Sequence, residues 1–397
     1  MPCGFLYCAS PLDLSVWYNG EVASETLYAK EPRLWYRETY IMSCWTVSQE
    51  ATGRIVDVVS TKVDSKSMAA KKGDKMMNMQ IKPLDTPQLW GDKRYHTWNY
   101  HLRQTFQEKV FKVPLDGGFS CPNRDGSVAT GGCTFCSARG SGDFAGDRRM
   151  DLERQFHDVK NRMHQKWPEA KYLGFFQAYT NTYAPVEELR EMYEVVLKQE
   201  GVVGLSIATR PDCLPDDVVE YLAELNERTY LWVELGLQTI HERTAQLINR
   251  AHDYQCYLDG VEKLRKHNIR VCSHIIYGLP GETHEDMMET AKAVANLDVQ
   301  GIKIHLLHLL RKTPMVKQYE AGLLEFLTQE EYTKLVADTL EILPPEMIVH
   351  RVTGDGPPDL LIGPMWSRKK WEVLNGIDAE LVRRNSWQGK FHTPCSR

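Results

Sequence analysis

Cys121, Cys133 and Cys136 share one glycine-rich stretch with the spacing Cys-x11-Cys-x2-Cys. It reads Pro114-Leu-Asp-Gly-Gly-Phe-Ser-Cys121-Pro-Asn-Arg and then Gly131-Gly-Cys133-Thr-Phe-Cys136. Thiolates are soft donors that suit zinc and iron–sulfur clusters. A structural zinc or an ordinary 4Fe–4S cluster takes four protein ligands, and only three are close here. An iron lacking its protein ligand is free to chelate a small molecule. A Cys-x2-Cys pair is also half of a zinc knuckle, and Cys3, Cys8, Cys44, Cys213, Cys256, Cys272 and Cys395 include candidates for a distant fourth ligand. The cysteines alone leave cluster and zinc equally open.

The rest of the composition narrows the setting. The chain has 397 residues, 42% hydrophobic and 25% charged, in the range of a globular protein with one large domain or two to three smaller ones. Ten cysteines without a paired pattern in so long a chain argue against a disulfide scaffold and for a reducing, cytoplasmic compartment. No run of 18 apolar residues occurs, which argues against a membrane span, and Asp13 and the lack of a basic start argue against a signal peptide. A net charge of −5 carries no global nucleic-acid signature.

The elements that must position the cysteines follow from periodicity. Residues 1–80 mix isolated aromatics with a polar stretch and are read as a disordered extension. A native start at Met68, Met76, Met77 or Met79 is one expectation for this segment. From Val110 onward, short apolar runs alternate with helical patterns. Strands are expected at Val110–Leu115, Tyr172–Phe176, Gly204–Thr209, Leu231–Gly236, Val271–Tyr277 and Ile302–Leu307. Helices are expected near 150–167, 186–199, 215–226, 240–248, 254–267, 284–297 and 328–342. Such alternation builds βαβ units around a parallel sheet. Six units suit a partial (β/α)6 barrel, whose chemistry sits at the C-terminal ends of the strands. The cysteine loop follows the first strand and so lands on that face, which shifts the balance from a zinc knuckle to a catalytic cluster. The core is expected over 93–345. A small α/β extension over 346–397 has a further strand near Ile348–Val352 and a basic, aromatic helix carrying Arg368, Lys369, Lys370, Trp371, Arg383, Arg384 and Trp387.

Further motifs stand at successive strand ends: Gln177-Ala-Tyr-Thr-Asn-Thr-Tyr-Ala-Pro185, Ala208-Thr-Arg-Pro-Asp212, Glu234-Leu-Gly-Leu-Gln-Thr239, Gly278-Leu-Pro-Gly-Glu-Thr283 and Thr353-Gly-Asp-Gly-Pro357. Together with the cysteine loop, and over roughly Lys93 to Lys390, the chain resembles radical S-adenosylmethionine (SAM) enzymes of the YhcC/YtqA type, whose core is related to the elongator catalytic-subunit type. The resemblance implies a 4Fe–4S cluster on Cys121, Cys133 and Cys136 that binds SAM at its open iron. It places Phe135 beside the adenine, and Gln177 and Asn181 at the methionine amino group. Arg210 is implied at the methionine carboxylate, and Glu234, with Gln238 as a partner, at the ribose hydroxyls. Gly278 and Gly281 are implied where the backbone covers the adenine, although a βα turn alone would account for both. Asn249-Arg250-Ala251-His252 resembles the family's Asn-Arg-Gly-His with alanine in place of glycine, which puts a close backbone approach there in doubt.

His305 and His308 near the sixth strand are candidates to face substrate, with core or surface roles favoured. Tyr179, Tyr183 and Asp355 are further candidates. The reaction implied is reductive cleavage of SAM to methionine and a 5′-deoxyadenosyl radical, with a flavodoxin- or ferredoxin-like reductant as partner. The implied substrate is an RNA base, as in tRNA. A small metabolite, or a non-catalytic binding protein stabilised by zinc or a cluster, are the alternatives.

Overall fold

The computed structural model describes residues 15–18, 21–24, 87–164 and 170–393. Ahead of residue 87 it describes one antiparallel hairpin, Ser15–Tyr18 with Glu21–Ser24. The expectations of a disordered extension over 1–80 and of an internal start otherwise lie outside the described residues.

Seven parallel strands form the frame of the main unit. We number them β1 (Val110–Leu115), β2 (Lys171–Phe176), β3 (Val202–Thr209), β4 (Tyr230–Gln238), β5 (Arg270–Tyr277), β6 (Gly301–Leu306) and β7 (Ile348–Arg351). Their order in the sheet is β7-β6-β5-β4-β3-β2-β1, so each strand lies beside its neighbour in sequence. This is the order a repeated βα unit produces as it curls in one direction, and the result is a half-barrel. The strand expected in the C-terminal extension is the seventh strand of this sheet, paired in parallel with β6.

The intervening helices bury one stripe each. Leu152–His164 turns Phe156 and Val159 into the core, and Asp216–Arg228 turns in Val218, Tyr221, Leu222 and Leu225. Two helix starts are fixed by capping boxes, Thr283 with Asp286 and Thr328 with Glu331. In each, the threonine side chain and the acid satisfy one another's backbone N–H groups.

The sequence reading missed the helix Trp98–Phe106, whose start is capped by Thr97 accepting from Tyr100 N at 3.1 Å. It packs on both β1 and β7, and Thr97 bridges Val349 in parallel. The two free edges of the half-barrel are thus spanned by one helix. Its Trp98 ring lies 4.0 Å from that of His350 and edge-on to Trp232 at 5.4 Å, closing the N-terminal end. The helix Met315–Glu320 and a two-stranded ribbon, Leu309–Leu310 with Leu361–Gly363, were likewise missed.

Candidate active site

A cavity of about 630 Å³ opens at the C-terminal ends of the strands and runs down the barrel interior. Its rim carries Cys121, Cys133 and Cys136, all partly exposed free thiols. Of the other described cysteines, Cys213, Cys256 and Cys272 do not line it. The loop is wound tightly: Arg124 N and Asp125 N both bond Cys121 O, and Cys136 N bonds Cys133 O at 3.0 Å. Arg124 ties the far side by donating to Ser137 O at 2.6 Å. Contact between Cys133 and Cys136 splits their acidities, pushing Cys133 well up and holding Cys136 down to about 7. Ser141 and the Arg124 guanidinium assist at Cys136.

The segment after β4 fastens the loop from beneath. Asn249 donates to Gly132 O (2.8 Å) and Thr130 O (3.1 Å), Asn123 donates to Asn249 O (2.6 Å), and Thr134 N bonds Ile248 O (2.9 Å). Arg250, fully buried, donates to Leu237 O and Thr239 O at 2.6 and 2.5 Å. Ala251 adopts φ +63°, the left-handed backbone that glycine favours, so the alanine keeps the turn despite its Cβ.

Deeper in, the cavity wall is made of polar residues at alternate, inward positions of the strands. Glu234 of β4 is the hub, with a side chain 0% exposed. Its carboxylate accepts from Lys112 of β1, Lys303 of β6, Ser206 of β3 (2.6 Å) and His274 of β5 (2.7 Å). Those cations hold the Glu234 carboxyl well below the ordinary range even though its burial acts the other way. Both carboxylate oxygens, expected from the resemblance to meet a ribose, face protein donors: Lys112 and Ser206 on Oε1, His274 and Lys303 on Oε2. Lys112 also lies over the rings of Trp98 and Phe175, at 4.7 and 4.9 Å. Burial lowers His274 and His308 to about 4, and drives His305 and His350 well below 6.5, so all four are neutral at pH 7.

The sequence reading singled out Glu234, His305 and His308 from this layer and missed Lys112, Ser206, His274, Lys303, His350 and Arg351. The available signal was period two: Lys112 and Pro114, Glu234, Gly236 and Gln238, His274 and Ile276, and Lys303 and His305 all line the cavity.

Other candidates fall in two groups. Phe135, Gln177, Arg210, Gln238, Tyr179, His305, His308 and Asp355 line the cavity. Phe135 packs with Ile276 on a small cluster around Leu307 and Leu309, and Gln177 donates to Ser141 O at 2.9 Å. Arg210 is brought to the rim, but its planar fork is already taken. Asp212 accepts at 2.9 and 2.6 Å and Arg250 O accepts at 2.8 Å, so the guanidinium expected at the methionine carboxylate is held by protein acceptors here. Asn181, Gly278, Gly281 and Tyr183 do not line the cavity. Asn181 is fully buried and donates to Ala208 O (2.7 Å), bracing the end of β3. Gly278 and Gly281, at φ +84° and +73°, form the βα turn after β5, and Tyr183 donates to Ser127 Oγ (2.8 Å).

Finally, much of the tail's positive charge is paired. Arg383 and Arg384 meet Glu380, Arg384 also meets Asp338 and Glu341, Lys369 meets Glu372, and Lys370 meets Asp355.

Comparison with known proteins decides the family. Residues 126–294 match the Radical SAM superfamily, and residues 299–383 match the Radical SAM C-terminal domain. YtqA of Bacillus subtilis (strain 168) is 74% identical over 300 residues, covering 76% of this chain and 93% of that protein. The chain belongs to the radical SAM superfamily. Within it, YhcC of Escherichia coli (strain K12) is 40% identical over 281 residues, covering 70% of this chain and 90% of that one. The likeness is thus to the YhcC/YtqA type. Among solved structures, the archaeal Methanocaldococcus infernus Elp3 with an N-terminal deletion aligns at a TM-score of 0.54 and 15% identity. That alignment covers 71% of this chain and 64% of that one, less than two thirds of its length. It shows a shared fold. Radical SAM proteins use a 4Fe–4S cluster and SAM, and this architecture is that of their catalytic domain. Among the described residues no helix is long and apolar enough to cross a membrane.

Proposed function

We propose that Cys121, Cys133 and Cys136 hold a 4Fe–4S cluster and that the cavity beneath them is the reaction chamber for SAM and a compact polar substrate. The observation that carries this reading is the donor set: three free thiols on one rim, with no fourth described cysteine lining the cavity. Three soft ligands fit a cluster with an open iron better than a closed tetrahedral zinc site. When bound, such a cluster supplies the electron that cleaves SAM to methionine and a 5′-deoxyadenosyl radical.

The chain's own residues do the rest. Arg124 and the Arg210–Asp212 pair set the charge beside the thiols. Phe135 and Ile276 supply a flat apolar wall, and the Trp98 helix closes the barrel below, limiting water at the reaction centre. An outside flavodoxin- or ferredoxin-like protein is the reductant in this reading.

The pairing of the tail cations supports a compact substrate over an RNA base. An RNA-binding face needs free cations to displace counterions from phosphates, and here many of them meet carboxylates of the same chain. The test is anaerobic reconstitution with iron and sulfide, with SAM, a reductant and chromatographic detection of 5′-deoxyadenosine. Formation that needs all three cysteines is the expected result, and a stable protein that retains zinc instead overturns it. Electrophoretic tRNA binding with a steep salt dependence would restore the RNA reading.

A further inference from the structure

We propose that the floor of the chamber is an anion subsite, where Lys303 and Arg351, with the charge of Lys112 beside them, take a phosphate or carboxylate group of the substrate. The inference rests on the reading of the cavity as the substrate chamber, and deepens it.

The charge at this level is not balanced. Lys112, Lys303 and Arg351 all line the cavity, and the lysines share one carboxylate, Glu234. Among the described residues the Arg351 side chain forms no ion pair or hydrogen bond and Lys303 Nζ bonds only Glu234, whereas Lys112 Nζ also meets Ser206 Oγ and His350 Nδ1. The other lining carboxylates are engaged elsewhere: Asp355 with Lys370 (2.5 Å) and Asp143 with Ser137 (2.9 Å). Strand register sets the cations side by side, since Arg351 of β7 pairs with Lys303 of β6, which pairs with His274 of β5.

The histidines around them add donors without adding charge, being held neutral by burial. The Nε2 atoms of His305, His308 and His350 are buried and find no partner among the described residues. Uncompensated positive charge in an enclosed site is costly unless an anion completes it. Two unbalanced cations match a dianion, such as a phosphate monoester or a dicarboxylate.

Depth separates this group from SAM. Lys112 stands three residues below the end of β1, about 10 Å along the strand at roughly 3.3 Å per residue. The methionine end of SAM is expected at the cysteine rim, whereas a substrate reaching past the adenosyl group meets the floor.

The experiment is calorimetric titration of the reconstituted protein with inorganic phosphate and, separately, malonate at constant ionic strength. It compares the wild type with Arg351→Gln, Lys303→Gln and Lys303→Arg. Saturable binding is expected, weakened at least tenfold by Arg351→Gln and Lys303→Gln and largely restored in Lys303→Arg. A preference for phosphate or malonate assigns the group. Arg351→Gln removes no ion pair or side-chain hydrogen bond among the described residues, so its circular dichroism should match the wild type and its urea midpoint should be no lower, even if a lysine variant fails to fold. Absence of binding, or binding unchanged in folded Arg351→Gln, overturns the subsite. So does competitive displacement of phosphate by SAM, which would place the SAM carboxylate there. Deoxyadenosine formation by the wild type is scored separately: a protein that binds the anion but cleaves no SAM overturns the function proposed above and keeps the subsite.

Discussion

The rim and the floor of the same cavity are built in opposite ways. The rim gathers three cysteines from one loop, held by backbone turns and by the carbonyls and amide of residues 248–249. The floor gathers single residues from β1, β3, β4, β5, β6 and β7, joined through one buried carboxylate. A site made from one loop can change its occupant without unfolding the barrel. A site made from six strands is also what holds those strands together, so chemistry at the rim and stability at the floor should be separable by mutation.

The largest effect expected is at Glu234. Glu234→Ala leaves Lys112 and Lys303 facing each other without their carboxylate, and should cost about 3–5 kcal/mol in urea unfolding of the metal-free protein. A loss below about 1 kcal/mol would remove the floor's structural role and break the comparison.

Acid should act next. Burial holds His252, His274 and His308 down to about 4, against 6.5 for an ordinary imidazole. Between those values the unfolded chain binds protons that the folded chain does not. Stability is therefore fully present above about pH 6.5 and falls as the pH drops toward 4, by up to about 1.4 kcal/mol per pH unit for each proton taken up. Urea midpoints at pH 7 and pH 5 measure it, and His274→Gln should flatten the slope if the floor contributes.

A smaller effect of opposite sign belongs beneath the rim. Ala251→Gly relieves a left-handed alanine and should stabilise the protein by about 0.5–1 kcal/mol, less the extra entropy of the unfolded glycine. Destabilisation would mean that the alanine methyl packs usefully.

Smallest of all, Cys136→Ser should change the stability of the metal-free protein by under about 0.5 kcal/mol while abolishing iron retention. An equal loss in both measurements would show that rim and floor are not separable.

Legibility followed the same division. The cysteine loop, the strand-end motifs and six of the seven sheet strands were readable, because each is a contiguous pattern of one period or one turn. The seventh strand was seen but set apart in the tail, since pairing of Ile348–Arg351 with β6 is a long-range fact that its own residues do not declare. Trp98–Phe106 lacked an apolar run strong enough to announce a helix, yet it spans the open edges. Lys112, His274 and Lys303 sat inside strands recognised as such, and their inward alternation was the unused signal. Glu234 drew notice for the right reason, a carboxylate in an apolar strand, but its partners lie 28 to 122 residues away and could only be seen in the fold. Arg210 was placed at the rim by its motif, while Asp212, two residues on, already fills its fork.

The most direct test of the central claim is iron, sulfide and zinc content after anaerobic reconstitution, read alongside 5′-deoxyadenosine formed with SAM and reductant. The wild type is compared with a Cys121/Cys133/Cys136→Ala triple variant. The structure predicts iron and sulfide near four per chain, as one 4Fe–4S cluster requires, and deoxyadenosine from the wild type only. A folded wild type that keeps zinc, or a cluster that leaves SAM intact, would contradict it.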